Sequence, residues 1–312
     1  VYIGGGTPSF VESKYIKKLL SEIDLSNAEE VTIEVNPGTV NVEKLKDYKE
    51  AGINRISIGL QATQNEILKR IGRIHTYEEF LDTYKMARRV GFENINIDLM
   101  LALPEQKIED IQESLEKIVD LNPEHISVYS LILEEGTVLE KKVENGELKL
   151  PDEDTERKMY WLVKRYLEEK GYVHYEISNF AKNGFEAKHN MDCWKQKEYI
   201  GLGTAAHSYM DKKRYSNKEK IEDYIKDFNN KNINEVQDKL DEEKEYMILG
   251  LRTINGVNIS EFKNKFVNNP IYLFKKELNK LVNEELIEIG INEIRLTDKG
   301  LDFANLVWEE FV

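Results

Sequence analysis

Three consecutive glycines, Gly4, Gly5 and Gly6, stand between a short β-forming pair, Tyr2-Ile3, and the dipeptide Thr7-Pro8. Lacking Cβ atoms, such a turn lets backbone N–H groups approach a carboxylate or phosphate closely, while Pro8 keeps Thr7 out of the helical region. Taken alone the motif is also a plain tight turn between a strand and a helix. Its chemical meaning comes from residues downstream, each at the end of a short apolar stretch: Glu34 with Asn36 and Pro37, Gly59 with Gln61, Asp98 ahead of Leu103-Pro104, and Tyr129-Ser130. Carboxylates accept from hydroxyl and ammonium groups, and a glycine turn donates to a carboxylate. The set therefore suits a small polar cofactor that carries all three kinds of group. Glu34 read by itself serves equally well as a structural cap.

Periodicity predicts the elements that bring these residues together. Strands are expected at residues 1–3, 31–35, 55–60, 95–99 and 125–131, and helices at 11–23, 42–51, 65–71, 77–90 and 107–121. Thr76 and Glu79 form a capping box, and Gly52 and Gly91 fall just past helix ends. The strands read as nearly continuous apolar runs, the pattern of parallel strands covered on both faces. This βα repetition predicts a parallel barrel or a doubly wound sheet, in which ligands collect where strands end and βα loops begin.

The 312 residues, 40% hydrophobic and with a net charge of −14, fit one large domain or a large one with a smaller companion. The acidic balance disfavours nucleic acid as a general partner. No apolar run approaches the roughly 18 residues of a membrane span and no signal peptide opens the chain, so a soluble, cytoplasmic protein is expected. The single cysteine, Cys193, excludes an internal disulfide framework and cannot alone hold a metal cluster. Val1 stands where a start methionine would, inside an expected strand, and the natural start is expected to lie upstream.

The segments GGGTP at residues 4–8, IEVNP at 33–37, NRISIGLQ at 54–61, IGRIHT at 71–76, INIDLMLALP at 95–104 and EHISVYSL at 124–131 together resemble the radical S-adenosylmethionine (radical SAM) enzymes. Within them the resemblance points to the branch of oxygen-independent coproporphyrinogen oxidases and the related HemW-type heme chaperones. It implies a partial (β/α) TIM-like barrel with the sulfonium cofactor across the strand ends, and a small winged-helix-like domain at the C-terminus. By the same resemblance Gly5, Gly6 and Thr7 meet the methionine end of S-adenosylmethionine, and Glu34, Gln61, Arg73 and Asp98 match cofactor-binding positions. Arg73 also reads as a surface cation near a helix end. The family's C-x3-C-x2-C triplet, which holds a 4Fe–4S cluster through thiolates, has no match here, so the cluster ligands are expected upstream of Val1.

Two later segments resemble the heme chaperones more than the oxidases. Residues 172–181, YVHYEISNFA, read as a strand and exit loop. His189-Asn190-Met191-Asp192-Cys193-Trp194 is similar to the motif H-N-x-x-Y-W linked to heme binding, with Cys193 in place of the tyrosine. The resemblance implies that His189, Asn190 and Trp194 contact heme, on a polar loop after the last barrel strand. Residue types alone also permit a packed histidine beside an indole. Residues 199–208, rich in glycine and alanine, suit close backbone approach.

The domain reading is a barrel with its heme region over residues 1–228, a linker at 229–240 rich in Asn and Lys, and a winged-helix-like domain over 241–312. That last domain holds 14 Asp and Glu against 9 Lys and Arg, the wrong sign for phosphate binding. The resemblance implies either a chaperone that carries heme to respiratory proteins or an oxygen-independent coproporphyrinogen III dehydrogenase, and the missing cysteine triplet read literally gives a third function, a catalytically silent binding module.

Overall fold

The computed structural model describes residues 1–229, 235–236 and 241–312, so the expected linker at 229–240 lies almost entirely outside the described residues. Contacts divide the chain into two compact units, Val1–His189 and Asn190–Val312.

The first unit alternates strands and helices in the expected order. It runs β1 (Tyr2–Ile3), a 3-10 turn at Pro8–Phe10, α1 (Ser13–Ser21), β2 (Thr32–Val35), α2 (Val42–Glu50), β3 (Arg55–Gln61), α3 (Asn65–Arg70), α4 (Tyr77–Val90), β4 (Asn94–Leu101), α5 (Ile108–Asp120), β5 (His125–Ser130), α6 (Val138–Glu144), α7 (Glu153–Glu169), β6 (Val173–Glu176) and β7 (Asn179–Ala181). The caps predicted from sequence are present: Thr76 and Glu79 exchange both hydrogen bonds of a capping box, and Gly91 ends α4 in the left-handed region at φ +94°.

One sheet of seven strands runs in the order β1-β2-β3-β4-β5-β7-β6. The first five strands are parallel; β7 pairs antiparallel with β5, and β6 pairs antiparallel with β7 at the sheet edge. The segment expected as an exit loop is this closing hairpin. Asn179, Phe180 and Ala181 are buried in β7, and the carbonyl of Ser178 accepts from Val128 N–H at 2.7 Å.

The expectation of continuous apolar strands is corrected by the register. Thr32, Arg55 and Asn94 lie side by side, as do Glu34, Ser57, Asn96 and His125, and then Asp98 and Ser127. Because alternate residues share a face, these polar side chains all belong to one side of the sheet. The residues between them, Ile33, Ile56, Ile58, Ile95, Ile97, Leu99 and Ile126, belong to the other side and join Leu45, Tyr48, Phe80, Leu115 and Val163 from the helices in one core. The apolar face is buried, and the polar face is buried at Thr32, Arg55, Ser57, Asn96 and His125 and half-buried at Glu34, Asp98 and Ser127.

Helix α8 (Lys188–Trp194) spans the junction of the two units. The second unit has β8 (His207–Met210), β9 (Lys213–Ser216), α9 (Ile221–Asn229), β10 (Glu235–Val236), α10 (Glu242–Gly250), β11 (Val257–Asn258), α11 (Ile259–Phe266), α12 (Pro270–Leu273), α13 (Lys275–Asn283), β12 (Ile287–Ile289), β13 (Glu293–Leu296), α14 (Asp298–Asp302) and α15 (Ala304–Glu309). Strands β11, β13 and β12 form an antiparallel sheet that gives the winged-helix outline. Helices α12 and α13 are separated at Phe274, whose backbone (φ −105°, ψ 33°) leaves the helical region. Phe274 is spent instead on an edge-on aromatic cluster with Phe262 and Phe311. In residues 199–208 regular strand begins only at His207, and Tyr199 bridges to Tyr209.

Candidate functional site

The glycine turn and Glu34 form one unit. The carboxylate of Glu34 accepts from the phenol of Tyr2 at 2.8 Å through Oε1 and from the backbone N–H of Gly5 at 3.0 Å through Oε2. A Cβ on Gly4 would lie 2.6 Å from the Tyr2 ring and 2.8 Å from Glu34 Oε1, so close approach requires glycine there. Gly5 and Gly6 have φ of +80° and +59°, and a Cβ on either would meet nothing within 4 Å. Glycine at these two positions therefore serves backbone conformation and leaves open space above the turn. The Gly5 N–H, expected to reach a ligand, is instead engaged by Glu34. Thr7 is held from the residue after β2, where Asn36 Nδ2 donates to its Oγ1 at 3.1 Å.

Gln61 ends β3 at a register shift, with φ +74° and its side chain buried. Such bulges re-aim side chains at strand ends. Its Oε1 accepts from the Tyr129 phenol at 3.2 Å, and its Nε2 and Asn36 Oδ1 both converge over Gly59. Arg73 lies on the turn after α3. It is half-buried, and its charge acts on Tyr129 and on His75, whose Nε2 meets the Leu60 carbonyl at 3.2 Å. Its place is therefore beside the end of β3.

Asp98 is set deeper. Asn96 Nδ2 donates to its Oδ1 at 2.6 Å, and burial, with a smaller contribution from Glu34, pushes its carboxyl up to about 6 despite the nearby Arg55 charge. Arg55 is 2% exposed, and among the described residues its Nε has no hydrogen-bond partner. Below Asp98 the polar face continues as an ordered chain. Asn96 commits its amide nitrogen to Asp98 and to Ser57, so its Oδ1 must accept from His125 Nδ1 at 2.6 Å. His125 Nε2 then accepts from the Tyr175 phenol at 2.7 Å, and Tyr175 accepts from Ala187 N–H at 3.2 Å. Burial holds the His125 imidazole neutral, far below its ordinary range.

The heme-motif residues lie on helix α8, not on a loop. His189, at the end of the first unit, stacks on Tyr2 with ring centroids 4.7 Å apart and planes 22° from parallel. The buried carboxylate of Glu30 accepts from the backbone N–H groups of Lys188 and His189 at 3.0 and 3.3 Å. In the second unit, the Arg252 guanidinium covers one ring face of Trp194 at 4.6 Å and lies 4.5 Å from Trp308. The Trp194 Nε1 is buried without a hydrogen-bond partner among the described residues. Burial pushes the Cys193 thiol up, which disfavours the thiolate needed for ligation at neutral pH.

Sequence reasoning found the rim and missed Tyr2, Glu30, Asn96, His125 and Tyr175. The available signal was the strict alternation in Ile56-Ser57-Ile58-Gly59-Leu60-Gln61 and Ile95-Asn96-Ile97-Asp98-Leu99, which marks one polar face. The residues present fit S-adenosylmethionine: two carboxylates, open space over the glycine turn and a buried amide all lie in one unit. They do not fit an iron–sulfur cluster. The chain has one thiol, and no group of three His, Cys, Asp or Glu among the described residues is placed to hold a metal ion.

Comparison with known proteins bears on the same regions. Residues 1–118 match the radical SAM superfamily, and residues 237–303 match the HemN C-terminal domain. The heme chaperone HemW of Lactococcus lactis is 40% identical over 318 residues, an alignment spanning all of this chain and 84% of that protein. The heme chaperone HemW of Bacillus subtilis is 37% identical over 324 residues, spanning all of this chain and 85% of that protein. Among solved structures, coproporphyrinogen III oxidase (HemN) from Escherichia coli superposes with a TM-score of 0.84 at 21% identity. That likeness covers 99% of this chain and 76% of the oxidase.

Proposed function

Because the chain belongs to the HemW heme chaperone family of the radical SAM superfamily, we propose that it binds heme and S-adenosylmethionine and passes heme to respiratory proteins from the cytoplasm. The observation that carries this reading is that the glycine turn, Glu34, Asp98 and His189 occur in one compact unit, with Tyr2 touching both Glu34 and His189. No helix among the described residues is long and apolar enough to cross a membrane.

In this reading Glu34 and Asp98 accept hydrogen bonds from the amine and hydroxyl groups of the cofactor, Gly5, Gly6 and Thr7 border its methionine end, and Gln61 and Arg73 border its other side. When bound, S-adenosylmethionine supplies a sulfonium whose positive charge the two carboxylates complement. His189 offers an imidazole to heme iron, an ordinary axial ligand. Asn190 and Trp194 follow on the same helix, and the resemblance assigns them heme contacts as well.

Heme titration followed at the Soret band tests the reading. Wild type is expected to bind, and His189→Ala to weaken binding or shift the band; identical spectra and affinity remove His189 from the site. Glu34→Ala is expected to lower S-adenosylmethionine affinity by about 1.5–3 kcal/mol through loss of charge-assisted hydrogen bonds, and unchanged affinity in calorimetry removes Glu34. The oxidase reading makes a separate demand. Incubation with coproporphyrinogen III, cofactor and reductant is expected to give no protoporphyrinogen, and multiple turnover would replace the chaperone assignment.

A further inference from the structure

Two routes, one of a hydrogen bond and a ring stack and one of hydrogen bonds throughout, run from the carboxylates of the rim to the start of helix α8. The first is short: Glu34 accepts from Tyr2, and the Tyr2 ring stacks on His189. Burial and the adjacent Glu34 carboxylate push the Tyr2 phenol far up, so it remains a donor at all physiological pH. The second is longer and keeps one direction throughout. Asp98 accepts from Asn96, Asn96 from His125, His125 from Tyr175, and Tyr175 from the N–H of Ala187, two residues before His189. Successive bonds of one polarity strengthen one another in a buried setting. Glu30 fixes the intervening backbone by accepting from Lys188 and His189.

From this arrangement we infer that the Glu34–Tyr2 and Asp98–Tyr175 chains make heme binding at His189 and S-adenosylmethionine binding at the rim energetically coupled, each ligand tightening the other. The inference rests on the two-ligand function proposed above. A cofactor ammonium or hydroxyl held by Glu34 and Asp98 fixes both carboxylates. Through Tyr2 and Tyr175 it thereby pins the ring that stacks on His189 and the backbone that leads into it. An imidazole already ordered loses less freedom when it takes up iron, and by linkage heme must then tighten the cofactor by the same factor.

The test is heme titration at the Soret band into the intact protein, prepared anaerobically, with and without saturating S-adenosylmethionine. In the reverse experiment the cofactor is titrated calorimetrically with and without heme. Wild type should show at least about a fivefold gain in heme affinity when cofactor is present, the lower end of ordinary coupling. Tyr2→Phe keeps the ring and removes only the hydroxyl. It should reduce the coupling, and adding Tyr175→Phe should abolish what remains. Tyr175→Phe also strands His125 Nε2 and Ala187 N–H, so Tyr2→Phe alone decides the matter if the double variant fails to fold by circular dichroism. Coupling that is absent in wild type while both ligands bind, or unchanged in Tyr2→Phe, overturns the inference and leaves the proposed function intact. Failure of wild type to bind heme or cofactor at all overturns the proposed function and the inference with it.

Discussion

Along β4 the side chains of Ile95, Ile97 and Leu99 enter a core shared with helices α4, α5 and α7, while Asn96 and Asp98, one residue away on the same strand, face a row of Ser57, His125 and Ser127. The two sets do opposite things to stability. The apolar face gains free energy from every methyl removed from water. The polar face holds a carboxylate whose charge the surroundings oppose, pushed up to about 6 chiefly by burial. One face makes the fold, and the other is tolerated by it. Unfavourable burial of that kind concentrates where ligands bind.

Truncation on the apolar face should have the largest effect. Ile97 is fully buried among β3, β5 and the covering helices. Ile97→Ala is expected to cost about 2–5 kcal/mol, the transfer of the lost methylenes plus the cavity they leave. Urea denaturation measures it, and a loss below about 1 kcal/mol would mean that the core closes around the gap and that the face is less tightly packed than its burial indicates.

Asp98→Asn, one residue further, should have the opposite sign. A carboxyl whose folded-state pKa is raised contributes stability that is fully present below its ordinary pKa of 3.8 and lost as pH rises through about 6. At pH 7 ionised Asp98 therefore costs on the order of 3 kcal/mol. The substituted amide cannot ionise and its carbonyl can still accept from Asn96, so the variant should gain up to about that much at pH 7 and nothing well below pH 3.8. The same change should weaken S-adenosylmethionine binding. Wild-type cofactor affinity should fall as pH drops below about 6, and the variant should lose that dependence. A variant less stable than wild type at pH 7 would mean that the charge is compensated and that the two faces are energetically alike.

The contrast also separates what the sequence made legible from what it did not. Element order, the capping box at Thr76 and Glu79 and the left-handed Gly91 were readable because each depends on residues a few positions apart. The strand-end positions of Glu34 and Gln61 were readable too, because each interrupts an apolar run there; Asp98 interrupts one as well but lies inside β4, which continues to Leu101. The polar interior was not. Its members owe their partners to register, which pairs Asn96 with His125 and brings Tyr175 in from an antiparallel strand that local patterning did not orient. Tyr2 was in view from the start, but its contact with His189 joins the first strand to a helix at the far end of the unit, and no local spacing encodes that. The helical form of residues 188–194 was hidden for a different reason: the segment is polar and short, and Glu30, remote in sequence, satisfies its leading N–H groups.

The smallest expected effect sharpens the comparison from the helix side. Gly91 ends α4 with φ +94° and ψ 28°, and its N–H closes on the carbonyls of Ala87 and Arg88. An added methyl must adopt the left-handed region, at about 1–2 kcal/mol. It would also come within 2.8 Å of Lys49 Nζ, the far end of a flexible side chain that can move aside. Helix α4 buries Phe80, Tyr84 and Ala87 on the apolar side, and Gly91 lies at the end of that helix that leads into β4, away from the strand ends where Gly5, Glu34 and Gln61 gather. Gly91→Ala should therefore lower stability in urea by about 1–2 kcal/mol while leaving affinity for S-adenosylmethionine within about twofold of wild type. A larger change in affinity would show that strain on the helix layer reaches the polar face through the sheet. The division of labour between the two faces would then fail at its least demanding point.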